Sequence, residues 1–150
     1  MKPTDVLGAD KQFSTYNELA KLAGLDTQLD SGQEYTLFVP SNAAFKALGD
    51  ERLDALKADP QGELLALLHR HMAPGQIHYS DLVGMHNAVV KTISGEELPI
   101  FSVNGELRLG GALITKSDIE AGKVVIFLID ALVDPNASVD TQADTQATPG

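Results

Sequence analysis

The chain has 150 residues, 43% of them hydrophobic and 21% charged, with a formal net charge of −10. That length suits one domain with a full apolar core. The negative balance is the wrong sign for nucleic acid or anionic lipid headgroups, which bind through Lys and Arg displacing counterions.

With no cysteine, disulfides, thiolate nucleophiles and Cys-ligated zinc are excluded. No apolar run approaches the roughly 20 residues needed to cross a bilayer, so membrane insertion is not expected. Residues 1–12 lack the apolar stretch of a secretory leader and are read as a segment ahead of the folded domain. Phe13–Leu25 predicts a helix, with Ser14 or Thr15 as cap, Leu19, Leu22 and Ala23 on one face, and Gly24 at its end. Tyr35–Val39 is a β-rich run halted by Pro40, after which Ser41 or Asn42 caps a helix striped by Ala44, Phe45 and Leu48. A further helical stretch, Glu51–Lys57, is broken at Pro60-Gln61-Gly62. Glu63–Met72 predicts the next helix, stopped near Pro74-Gly75.

The second half turns to strands. Asn104-Gly105 between two β-like runs is a strong hairpin signal, and Leu107 and Leu109 alternate with Glu106 and Arg108 as on a strand with one wet face. Gly110-Gly111 makes a second turn into Ala112–Thr115, and "KVVIFLIDALVD" reads as a long buried strand. From Asn136 onward the composition is too polar to offset ordering entropy, so 136–150 is expected to be a disordered tail or linker. The sequon Asn136-Ala137-Ser138 is read as chance. Helices early and strands late predict an α+β domain.

"LLALLHRHMAPG" places His69 and His71 two residues apart. On a helix numbered from Leu64, Leu67, Leu68 and His71 share one stripe, His71 lying about 20° from Leu64 and His69 about 140° round. Helical residues at i and i+2 do not face each other, so the pair is a poor metal site. His71 is expected to be a buried neutral ring with satisfied nitrogens, His69 a flank residue, and Arg70 outward-facing. His78 and His86 join no motif. Glu96-Glu97 and Asp50-Glu51 read as solvated pairs. No nucleophile elbow, HExxH motif or phosphate-cradling loop is present in the sequence.

"YTLFVPSNAAFKAL" resembles the first signature segment of the fasciclin-like domain, with Thr36, Phe38, Pro40, Ser41, Asn42, Ala44 and Phe45 in place. "LLALLHRHMAPGQIHYSDL" is similar to the family's following segment, His71 taking its histidine. "VNGELRLGGALITKSDIEAGKVVIFLIDALVDP" resembles the second signature through Val103, Asn104, Gly105, Gly111, Ala112, Asp118, Ile119, Ile129, Asp130 and Pro135. The chain departs where the family's Tyr-His reads Arg70-His71, and where a strand histidine is Phe127.

The resemblance implies a fasciclin-like domain over residues 13–135. Its fold would be a β-sheet wedge or sandwich with helices packed mainly in the N-terminal half, of the cysteine-free bacterial type. It implies a non-catalytic adhesion or interaction module, secreted, periplasmic or on the cell surface, that binds a protein, cell-surface or matrix component as a monomer without cofactor or metal. The partner-contact residues it carries over are Asp118, Ile119, His71 and Arg70. Thr36, Phe38, Pro40, Asn42, Phe45, His71, Asn104, Gly105 and Asp130 are expected to be structural, with Asp130 tying down a loop. The alternative reading is an envelope protein that binds a small ligand or carbohydrate in a pocket between helices and sheet.

Overall fold

The computed structural model describes residues 2–84 and 88–137. The N-terminal half supplies helices α1 (Pro3–Ala9), α2 (Ser14–Leu22), α3 (Leu25–Leu29), α4 (Asn42–Leu48), α5 (Asp50–Lys57) and α6 (Leu65–Arg70), with β1 (Tyr35–Pro40) between the third and fourth. Then come β2 (Met72–Pro74), the short helix α7 (Tyr79–Val83), β3 (Val89–Lys91), β4 (Glu97–Val103), β5 (Glu106–Leu109), β6 (Ala112–Ala121) and β7 (Val124–Ile129). The expected α+β wedge, helices mainly early and strands late, is what forms.

The seven strands make one sheet in the order β2-β1-β7-β6-β5-β4-β3. β1 and β7 lie parallel, from Tyr35 opposite Val124 to Pro40 opposite Ile129, and the other pairings are antiparallel. Every residue of β1 and β7 is buried. A strand covered on both faces reads as a continuous apolar run, which is the form of "YTLFVP" and "VVIFLI". Alternate residues then serve two cores. Leu37, Val39, Val124, Ile126 and Leu128 face the helices and meet Leu7, Phe13, Tyr16, Leu19 and Leu68. Phe38, Val125, Phe127 and Ile129 face the concave side of the sheet with Leu98, Ile100, Leu107 and Leu109. The sheet curls until its two edges touch, where the Ile93 N–H donates to the Met72 carbonyl at 2.8 Å.

Several local expectations change. Residues 1–12, read as a leading segment, contain α1, whose Leu7 is buried in the helix-side core. α2 ends at Leu22, which is 45% exposed rather than on the apolar face. α5 ends at Lys57, ahead of Pro60, as expected, but the next helical stretch starts before Glu63. Pro60 occupies the first position of a π-turn, Pro60–Leu64, that leads straight into α6, a place where its missing N–H costs nothing. The helix expected to reach Met72 stops at Arg70, and Met72 begins β2. Pro74 disfavours helical backbone at Ala73 before it, and Met72 and Ala73 find partners in β1. β6 continues past Thr115 to Ala121 through two irregularities in register, one between Ile114 and Lys116 and one between Lys116 and Ile119. Bulges of this kind break the period-2 pattern by which a strand is recognised. His86 and residues 138–150, the bulk of the expected tail and the Ser of the sequon, lie outside the described residues.

Candidate functional site

His71 sits just past the last turn of α6, 2% exposed. Its Nδ1 lies 2.8 Å from the Leu67 carbonyl, and its Nε2 lies 3.0 Å from the Val133 amide nitrogen. An amide only donates, so Nε2 accepts, the proton is on Nδ1, and the ring is neutral. Burial pushes its pKa down from 6.5 to about 4, with the carbonyl bond opposing and the nearby Arg70 charge assisting. The ring therefore fastens α6 to the chain leaving β7. The partner-contact role that the resemblance implies thus falls on an imidazole that is buried and has both ring nitrogens occupied within the fold.

Its neighbours point elsewhere. His69 Nε2 is 3.2 Å from Gln28 Oε1, and partial burial lowers its pKa. The two histidines share no ligand position, and no grouping of three or more metal-ligating side chains occurs among the described residues. Arg70 reaches Glu96 through two bonds, Nε to Oε1 at 2.7 Å and Nη2 to Oε2 at 3.0 Å. That pairing, with help from Ser94, holds the Glu96 carboxyl below its ordinary range. Glu96 is therefore an ion-pair partner and not the freely solvated acid expected of it. A fork-to-fork pair fixes geometry as well as charge.

The other signature residues are bolts between elements. The buried Thr36 hydroxyl donates to the Gly75 carbonyl and accepts from the Ile77 amide, both at 2.8 Å, holding the loop after β2. Ser41 caps α4 by accepting from Ala44 N–H at 3.2 Å. Asn42, an alternative cap by sequence, does something else: its Oδ1 accepts from Thr15 N–H at 3.0 Å and its Nδ2 donates to the Lys11 carbonyl at 2.8 Å. The cap of α2 thus comes from another helix and not from Ser14 or Thr15. Phe38 meets Phe127 across the parallel pair with ring centroids 5.4 Å apart, and Phe45 is buried on the helix side. Pro40 closes β1 opposite Ile129. Asn104 and Gly105 both carry positive φ, 52° and 80°, as a two-residue type I′ hairpin requires. Asp130 accepts from Leu113 N–H at 2.9 Å, extending the β6–β7 pairing by one step.

Asp118 and Ile119 lie at the β6 bulge. Asp118 is exposed, holds φ of 55°, and its Oδ1 accepts from Tyr79 N–H at 2.8 Å, so it caps α7 from outside. Ile119 is half-buried against the helix-side core. His78, at the start of α7, donates its backbone N–H to Asp81 Oδ2 at 2.9 Å.

One concave feature escaped the sequence. Between β2, α7 and β3 lies an aliphatic pocket of about 430 Å³, lined by Ala73, Ile77, Leu82 and Val90, with Asp81 and Lys91 among its residues. Its walls come from three short segments that pair only in space, so no local period announces it.

Residues 11–135 match the family model of the fasciclin domain. Human periostin is 31% identical over 129 residues, covering 86% of this chain and 15% of periostin. Protein sll1483 of Synechocystis is 27% identical over 136 residues, covering 90% of this chain and 74% of that protein. The cell surface glycolipoprotein MPB83 of Mycobacterium bovis is 30% identical over 107 residues, 71% of this chain and 46% of MPB83. The chain thus spans less than half of periostin and of MPB83. A solved FAS1 domain pair from the insect cell adhesion molecule Fasciclin I superposes with a TM-score of 0.68 at 18% identity, over 94% of this chain and 52% of that one. The chain belongs to the fasciclin domain family.

Proposed function

We propose that this domain is an interaction module that works outside the cytoplasm, binding a protein, cell-surface or matrix component without catalysing a reaction. Membership of the fasciclin family carries the reading, together with relatives named as a cell surface glycolipoprotein and a cell adhesion molecule. The fate of the chemistry-bearing signature residues supports it. His71, Thr36, Asn42 and Asp130 each spend their polar atoms on the fold. Partner contacts among the signature residues fall to Asp118, Ile119 and Arg70, which retain exposed atoms, and not to His71.

The test is attachment of cells or purified matrix to the immobilised domain, against an inert protein of equal net charge. Attachment above that control, reduced by Asp118→Asn, which removes the charge but keeps an Oδ1 acceptor for the Tyr79 N–H, with the melting temperature nearly unmoved, is the expected result. Attachment equal to the control overturns the reading.

A further inference from the structure

Among the described residues, the β2–β3 seam closes with one backbone bond, Ile93 N–H to the Met72 carbonyl, and then stops. Thr92 N–H donates to the Glu96 carbonyl and Ile100 N–H to the Ala88 carbonyl, at 2.9 and 3.1 Å. Residues 88, 90 and 92 thus turn their backbone groups toward β4, and in an antiparallel ladder the alternate residues Val89, Lys91 and Ile93 turn theirs away. Ile93 uses its outward N–H on Met72. On the facing edge, His71 accepts from Phe38 N–H and Gly75 donates to Glu34, so Met72 and Pro74 are the outward residues. Since the two edges run antiparallel, the next step of the ladder sets Lys91 opposite Pro74, which has no N–H to give. Pairing ends there, and the aliphatic pocket occupies the gap, with Pro74, Val89 and Lys91 among its lining residues. Among the described residues, no hydrogen bond engages the outward backbone of Val89 or Lys91.

Strand edges with free N–H and C=O groups are templates for another strand, and proteins blunt them when they are not used. β3 is only three residues long and carries Lys91, yet its outward groups are left without a partner among the described residues. Val89 is 43% exposed, and the pocket beside it takes the side chains that would alternate inward from an added strand. Charge selects the occupant further. Lys91 stands opposite Glu97 in the β3–β4 register, and the exposed Asp81 is among the pocket residues, so carboxylates outnumber the ammonium two to one along this edge, within a chain of net charge −10. An aliphatic chain without amides would fill the pocket yet leave the edge unpaired.

We infer that β3 accepts an extended, aliphatic and cationic segment of a partner protein as an added strand, its alternate side chains entering the pocket between β2 and β3. The inference rests on the proposed interaction role and names the surface that performs it.

The probe is the end-blocked heptapeptide Lys-Val-Lys-Val-Lys-Val-Lys, titrated into the whole chain while the exchange of the Val89 and Lys91 amides is followed by NMR. Saturable binding with slowed exchange at both amides is expected. Methylating alternate peptide nitrogens, or replacing Lys91 with Pro, weakens it by at least about tenfold, since each removes directed backbone bonds. Lys91→Met, which keeps the N–H, holds or strengthens the affinity. The glutamate counterpart of the peptide binds more weakly at low salt. Binding that leaves the two amides unprotected, methylated and parent peptides of equal affinity, or displacement of the peptide by dodecanoate overturns the inference. Because proline is tolerated where an edge N–H faces solvent, Lys91→Pro is expected to keep the parent's melting temperature. The methylated peptide decides the outcome if it does not. Attachment to matrix that survives Lys91→Pro would leave the interaction role standing and remove this surface from it.

Discussion

The two cores flanking β1 and β7 are built from different materials and close in different ways. On one face, α1 to α6 lay side chains such as Leu7, Tyr16, Leu19 and Phe45 against Leu37 and Ile126. A helix satisfies its own backbone, so each one added covers the core without leaving an edge. On the other face, strands contribute every second residue, and their backbone groups need a neighbour on each side. Closure there comes down to the Ile93–Met72 bond and α7. The helix side is finished, while the strand side keeps a seam and a pocket. The signature residues belong to neither side alone. Phe38, His71, Thr36 and Asp130 sit where the shared strands, the loop after β2 and the chain after β7 are fastened together.

The largest effect is expected where the strand-side core meets the shared pair. Phe127→Ala removes a fully buried ring that packs on Phe38 and should cost about 3–5 kcal/mol in denaturant unfolding. Leu82→Ala, in the wall of the existing pocket, should cost less than Leu19→Ala in the helix-side core, because a side that already borders open space leaves less new cavity. Equal costs for Leu82→Ala and Leu19→Ala would erase the distinction between a finished and an unfinished core.

The parts legible in the sequence were those set by local chemistry. Ser41 after Pro40 caps a helix, Asn104-Gly105 turns a hairpin, and doubly buried β1 and β7 read as unbroken apolar runs. The parts that were hidden are set by contacts distant in the chain. Asn42 looks like a cap for its own helix and caps α2, 27 residues away in sequence. Arg70 looks outward on a helical wheel and finds Glu96 across the fold. Met72 looks like one more apolar residue of the leucine-rich helix and becomes a strand because β1 offers it an edge. Gly110 illustrates the same limit: a Cβ there would stand 2.9 Å from that of Val133, and its φ is 55°, but only the returning chain makes the residue indispensable.

His71 tests the fastening between α6 and the chain after β7. His71→Ala should cost about 2–4 kcal/mol, through lost packing and an orphaned Val133 N–H, whereas His69→Ala should cost under about 1 kcal/mol. The sign of the pH dependence follows from the lowered pKa. Below 6.5 the unfolded chain takes up a proton that the native ring refuses until about 4, so stability falls as pH drops through that window, by about 3 kcal/mol at its foot. His71→Met should flatten this limb of the stability–pH curve. An unchanged limb would mean that other groups produce it. A smaller loss is expected for Thr36→Val, about 1–3 kcal/mol, because the isosteric change leaves the Ile77 N–H and the Gly75 carbonyl without their shared hydroxyl.

The smallest effect concerns Arg70, the residue before His71. Its side chain and that of Glu96 are 35% and 39% exposed, so water screens the pair and a double-mutant cycle of Arg70→Ala and Glu96→Ala should give a coupling of about 0.5–1 kcal/mol, falling as salt is added. The bidentate geometry places it at the upper end of that range. Since the Arg70 bond holds the Glu96 carboxyl below its usual value, the contribution is complete above the ordinary carboxylate range and disappears only as pH falls beneath it, a window more acidic than the onset of the His71 limb. Two adjacent residues thus give opposite lessons. The imidazole at 71 is expensive to remove because its partners are dry, while the guanidinium at 70 is cheap because its partner is wet. A cycle in which Arg70 and Glu96 couple as strongly as His71 does with its surroundings would place this ion pair inside the fold and not on its rim.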